Sequence, residues 1–216
     1  MSSEERRQRE QQELKRRILE TAQEIARTKG WRSVTLREIA DRIDYTHAAL
    51  YSYFANKEQL LLEILREGFH LLLADLSRAT QGATTPLDAF RRFVLAYWTF
   101  AWRNPERYRL MYWLDGLPFG VAETWTEGTQ IGEAAAMVIK NLLEEQGRPV
   151  EQIDTKVLLF WSTLHGLISL SMLGRLAGSP HDLMPLVEQA IHDALRAWQV
   201  TEEPQGHPAE TATVRE

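Results

Sequence analysis

An all-α protein of about nine helices is predicted, with a small N-terminal three-helix unit of helix-turn-helix proportions and a larger helical domain behind it. Three observations carry the prediction. Apolar residues recur at three- and four-residue spacing nearly end to end. Convincing strand alternation is absent. Cap residues, prolines and glycines stand where helices start and stop.

The first helix is read from Leu14, Ile18, Ala22, Ile25 and Ala26, which share one face. Gly30 stands at its end, where a left-handed residue is wanted, and Trp31 can fold back on Ile25 or Ala26. Thr35 and Glu38 have capping-box spacing ahead of a helix over 36–43. A turn, Asp44-Tyr45-Thr46, leads to a helix over 47–53 that Thr46 can cap. Asn56 and Gln59 repeat the cap pattern before "KEQLLLEILREGFHLLLADL". Its apolar periodicity predicts a helix of roughly 20 residues, about 30 Å long. Thr85-Pro86 and Asn104-Pro105 each pair a cap residue with a proline suited to the first helical position. The stretch "GLPFGVAETWTEGTQIG", from Gly116 to Gly132, is rich in glycine and predicts a loop that precedes or interrupts the next helix. "EAAAMVIKNLLEEQG" is helical and stops at Gly147. Two long helices near 151–176 and 182–199 follow, separated by "GSP". Domains are expected over 10–56 and 57–200, with a disordered tail over 201–216 that lacks apolar periodicity.

Composition narrows the function. Net charge is −5, yet residues 1–60 hold 12 Lys and Arg against 10 Asp and Glu, a sign that suits an N-terminal part meeting a polyanion. The chain has no cysteine, which excludes disulfides and thiolate metal sites and fits a reducing compartment. The charged first twenty residues do not read as a secretory signal. The stretch 157–174, "VLLFWSTLHGLISLSMLG", is uncharged and near the lower length limit for a membrane span. Its Ser, Thr, His and Gly residues, without flanking basic clusters, favour a helix buried in the protein or in an oligomer. A cytoplasmic protein without membrane contact is expected.

On the short helix, Leu50 and Phe54 share the inward face, while Ala48 and Ser52 point away with Ala49 and Tyr51 at the margins. Small residues let a helix sit deep in a major groove, and tyrosine hydroxyls can donate to phosphates on its walls. A plain surface helix with half-buried tyrosines has the same spacing. The longer string "TLREIADRIDYTHAALYSYFANKEQLLLEIL" resembles the DNA-binding motif of the TetR family of bacterial transcriptional regulators. Thr35, Ile39-Ala40, Leu50-Tyr51, Tyr53-Phe54, Lys57-Glu58 and Leu60 carry the resemblance, which runs over about 14–65. Asp44 departs from it, since the family usually has glycine there, but aspartate tolerates left-handed geometry. The resemblance implies phosphate contacts for Tyr51, Tyr53 and Lys57. It implies a base-facing role for Thr46, His47, Ala48 and Ala49, and DNA contact for Arg37. Thr35 stands among the matching residues at the start of this surface, and Ser52 adds a hydroxyl. With two alanines unable to hydrogen-bond, polar readout falls to His47, Arg37, Thr46 or Ser52. The partners implied are a palindromic double-stranded operator, a second copy of the chain, and a small-molecule effector.

The effector would bind in the larger domain. Trp98, Trp102, Trp113, Trp125 and Trp161 can wall an apolar or aromatic cavity; they can equally fill the core of a helical domain. "WSTLHG" resembles a Trp-x-x-x-His-Gly motif of one subgroup, which places Trp161 and His165 one turn apart. A histidine there is either a hydrogen-bonded core residue or a ligand contact. The resemblance also implies that the last two helices pair in a homodimer, through Leu158, Leu159, Leu167, Leu170 and Leu173 on one and Leu186, Ile191, Leu195 and Trp198 on the other. No Ser-His-Asp or Cys-His arrangement and no phosphate-cradling glycine loop presents itself, so no catalytic residue, metal or cofactor is expected. An enzyme or binding protein built on the Trp-rich domain, and an adaptor that only dimerises, are the rival readings.

Overall fold

The computed structural model describes residues 2–112 and 121–201, with the side chains of 121–125 outside the description. Its helices are α1 (Ser3–Lys29), α2 (Leu36–Ile43), α3 (His47–Tyr51), α4 (Lys57–Thr80), α5 (Pro86–Arg103), α6 (Pro105–Met111), α7 (Val121–Glu145), α8 (Ile153–Met172) and α9 (Met184–Ala197). A single 3-10 turn, Trp31–Ser33, joins α1 to α2. There is no strand among the described residues. The uncharged stretch within 157–174 falls mostly on α8, and no helix among the described residues is long and apolar enough to cross a membrane.

The capping chemistry sets most boundaries. Thr35, Thr46, Asn56 and Thr85 each accept a hydrogen bond from the backbone amide three residues on. The reciprocal half of the box is missing at both positions where the spacing predicts it, Thr35 and Asn56. The Glu38 carboxylate turns instead to Lys29 and Arg42, and Gln59 accepts from the amide of Ala55. Asn104 corrects an expectation: α6 does begin at Pro105, but the Asn104 amide donates to the Phe100 carbonyl and closes α5 rather than capping α6.

The N-terminal unit packs α1, α2 and α3 around Ile18, Ala22, Ile25, Ile39 and Leu50, all fully buried. Arg17 of α1 clamps the turn after α2. It donates to the Ile43 carbonyl at 3.3 Å and lies 5.7 Å from the centre of the Tyr45 ring. Asp44 adopts the left-handed conformation there. Trp31 does not merely fold back on α1. It is fully buried, and its indole Nε1 donates to the Glu106 carbonyl of α6 at 2.9 Å, joining the first unit to the second.

In the larger unit, the seven-residue α6 is held from several sides. Arg107 pairs with Glu67 of α4 at 3.3 Å, and Arg109 donates to the Met172 carbonyl at the end of α8 at 2.8 Å. Gly68 of α4 lets α6 approach closely: a Cβ there would lie 2.7 Å from the Met111 sulfur. The largest departure from the sequence reading is α7. Its helix already runs from Val121, through Gly128 and Gly132, where a loop was expected.

Candidate functional site

Two sites emerge, one in each unit. The first is the outer side of α2 and α3. Leu50 and Phe54 are buried, which turns the rest of α3 outward. Thr35, Arg37, Thr46, Ala48, Tyr51 and Ser52 are exposed, while His47, Ala49, Tyr53 and Lys57 are half-buried. Several of these groups are already engaged. The Thr46 hydroxyl accepts from the Ala49 amide at 3.2 Å, and Ser52 Oγ donates to the Ala49 carbonyl at 2.6 Å. His47 Nε2 lies 3.2 Å from Asp41 Oδ1, so α2 orients its ring. The Lys57 ammonium donates to the Arg32 carbonyl at 2.8 Å, and partial burial holds its pKa below the usual lysine value. Such anchoring fixes the charge at the N-terminus of α4 instead of leaving it on a free stem. The surface therefore offers small side chains in the middle, an exposed phenol at Tyr51, and positioned cations at its edges.

The second site is a cavity of about 610 Å³ enclosed by α4, α5, α7 and α8. That lies within the range of small-molecule pockets. Its aromatic walls are Phe69 of α4, Phe90, Phe93 and Tyr97 of α5, Tyr112, and Phe160 and Trp161 of α8. Gly128 and Gly132 face it from α7, one turn apart, so the helix contributes space where side chains would fill it.

A chain of hydrogen bonds runs behind the aromatic wall. Trp161 Nε1 donates to the Tyr97 hydroxyl at 2.9 Å, which lies 3.3 Å from the Tyr108 hydroxyl. The Tyr108 hydroxyl is 2.7 Å from His165 Nδ1, and His165 Nε2 is 3.2 Å from Ser169 Oγ. Burial raises the phenol pKa values of Tyr97 and Tyr108 well above 10 and lowers that of His165 from 6.5. The phenols and the ring are thus neutral at pH 7. A neutral ring donates from one nitrogen and accepts at the other, so it can satisfy Tyr108 and Ser169 together. The His165 ring also stacks on Trp161, with centres 4.9 Å apart and planes 15° from parallel.

Of the residues expected to wall a ligand site, Trp161 lines the cavity, and His165 stands behind it as a hydrogen-bonded core residue. Trp98 and Trp102 do not line it. The cavity-facing stripe of α5 is 90, 93 and 97, and Trp98 lies about 100° round the helix from that last position. The two indoles instead pack edge to face, 5.6 Å apart. Trp113, and the side chain of Trp125, fall outside the described residues. Tyr97, Tyr108 and Tyr112 were missed. Tyr97 and Tyr108 lie on different helices, so their spacing in sequence says nothing of their meeting, which the turn between α5 and α6 brings about. The expected pairing face needs a similar correction. Leu158, Leu159, Leu170, Leu173 and Leu186 are exposed, but Ile191 and Leu195 are buried in the chain's own core. Trp198 packs on Phe90 and Phe160.

Comparison with known proteins matches both units. Residues 18–64 match "Bacterial regulatory proteins, tetR family", and residues 90–194 match "Tetracyclin repressor-like, C-terminal domain". The chain is 33% identical over 95 residues to the HTH-type transcriptional repressor KstR of Mycobacterium tuberculosis, an alignment spanning 44% of this chain and 43% of that one. It is 27% identical over 157 residues to an uncharacterised HTH-type transcriptional regulator of the same organism, spanning 73% and 69%. Less than half of KstR's own length is therefore covered. Among solved structures, a Rhodococcus protein superimposes with a TM-score of 0.74 at 25% identity, over 86% of this chain and 95% of that one. A tetR-family regulatory protein from Rhodococcus gives 0.68 at 23%, over 87% and 98%, a likeness of fold. With its N-terminal helices and its cavity-bearing domain each matched to that one group, the chain belongs to the TetR family of bacterial regulatory proteins.

Proposed function

We propose that the protein is a ligand-responsive transcriptional repressor, working in the bacterial cytoplasm as a homodimer on a palindromic operator. The observation that carries the reading is the outer side of α3: a capped helix start bearing Thr46, His47, Ala48 and Ala49, flanked by Tyr51, Tyr53 and Lys57. Thr35, Arg37 and Ser52 complete the DNA surface. Residues 10–56 serve as the DNA-binding domain, and 57–200 bind effector and pair with the second copy.

The cavity supplies a route to induction. Phe69, in its wall, lies on the same helix as Lys57, twelve residues on, or about 18 Å. An effector that binds more tightly when the two recognition helices are wrongly spaced lowers DNA affinity by that difference in affinity and no more.

Selection of genomic fragments by the purified protein, followed by gel shift, tests the reading. A recurring palindrome is expected. Tyr51→Phe should weaken operator and random duplex alike, because a phosphate contact carries no sequence information. His47→Ala should flatten preference at one or two positions of each half-site, at about 1–3 kcal/mol per lost base contact. Failure to select any sequence over bulk DNA would refute the proposal.

A further inference from the structure

Among the described residues that line the cavity, charge has one sign. Its described lining includes two carboxylates, Glu133 of α7 and Asp154 in the first turn of α8, and no lysine, arginine or histidine. Both residues are exposed, so they stand where the cavity meets solvent. Neither makes an ion pair or a side-chain hydrogen bond among the described residues. Glu127, six residues before Glu133 on α7, shows the contrast, since Arg66 pairs with it at 3.2 Å. Inside the mouth the walls are aromatic, and ring faces carry the negative end of the ring quadrupole. The Tyr97 hydroxyl is already committed to Tyr108 and Trp161, which leaves the interior few polar groups to offer a guest.

Resting on the reading of this cavity as the effector site, we propose that its ligand is an amphiphilic organic cation: an aromatic body among Phe69, Phe93, Phe160 and Trp161, with an ammonium or amidinium group at the rim beside Glu133 and Asp154. Rim and walls then favour the same charge, the rim by opposite charge and the walls by cation–π attraction. An anionic head would instead meet two carboxylates with no basic side chain among the described lining residues to offset them.

Three probes with one naphthylmethyl body test this on the full chain by calorimetry: (2-naphthylmethyl)trimethylammonium, its neutral carbon isostere 2-neopentylnaphthalene, and the anion 2-naphthylacetate. The cation should bind most tightly and the anion least, and the cation's advantage should shrink as salt rises. Glu133→Gln with Asp154→Asn should cost the cation about three- to tenfold in affinity, the scale of two partly exposed charge pairs. The neutral isostere should bind the variant within about twofold of the parent, which also shows that the cavity has kept its shape. Equal binding of cation and isostere, or a preference for naphthylacetate, would overturn the cation assignment while leaving the cavity a ligand site. If none of the three binds, the effector reading of the cavity falls with it.

Discussion

Tyr108 of α6 ties α5 to α8 behind the cavity. Its hydroxyl lies within hydrogen-bonding distance of both Tyr97 and His165, and it is fully buried. Tyr108→Phe leaves two buried polar atoms short of a partner, at a cost of about 1–3 kcal/mol. Urea unfolding should show this as a lower midpoint with an unchanged slope. His165 adds a pH dependence whose sign follows from burial. Its pKa is lowered in the folded chain from the ordinary 6.5, so below that pH the unfolded chain takes up a proton that the folded chain resists. Stability is full above about pH 6.5 and falls as the pH drops through and below it. His165→Asn should flatten that slope between about pH 6.5 and 5 when unfolding is measured across the range. Only the α8 end of this network was legible in the sequence. Trp161 and His165 announce themselves by their four-residue spacing, but Tyr97 and Tyr108 come from other helices, and nothing local marks them as partners.

Helices were legible where side chains punctuate them. Thr35, Thr46, Asn56 and Thr85 place four helix starts because each satisfies an amide that the helix leaves bare. Glycine misled the reading of α7, since low propensity predicts a break and packing overrides it. Gly128 and Gly132 lie in mid-helix with nothing within 4 Å of an added Cβ. Gly128→Ala and Gly132→Ala should therefore each stabilise the protein by about 0.5–1 kcal/mol, through a less mobile unfolded chain and a better helix former. Both methyls would project into space that the cavity now holds, so the same variants should bind the aromatic probes more weakly. Thermal melts and calorimetry on one preparation check both halves. A destabilised Gly128→Ala would mean that the helix needs glycine for its backbone path rather than for room. The α5 tryptophans failed for a related reason. Spacing shows that Trp98 and Trp102 share a face but not which neighbour that face meets.

For the whole molecule, the exposed leucines on and just beyond α8, with Leu186 of α9, form the face on which the proposed pairing rests. Leu159 is 67% exposed, Leu173 54% and Leu170 45%, and the small residues Ser162 and Gly166 lie between them on α8. Such a face suits a two-fold mate. Leu170→Glu should yield a folded monomer in sedimentation, with operator affinity much reduced because one half-site is contacted at a time. Leu195→Glu is the contrasting variant: its side chain is buried within the chain, so a charge there should unfold the protein rather than split a dimer. A monomeric parent at micromolar concentration would count against the pairing face. The bond from Trp31 to the Glu106 carbonyl has a different kind of consequence. Trp31 is the only tryptophan before residue 98, and its indole proton sits at the seam between the two units. Exchange of that proton with heavy water reports how often the seam opens, at one resolvable resonance. An effector acting through α6 should speed the exchange, while one acting along α4 alone should leave it slow, so a single peak can tell the two routes apart.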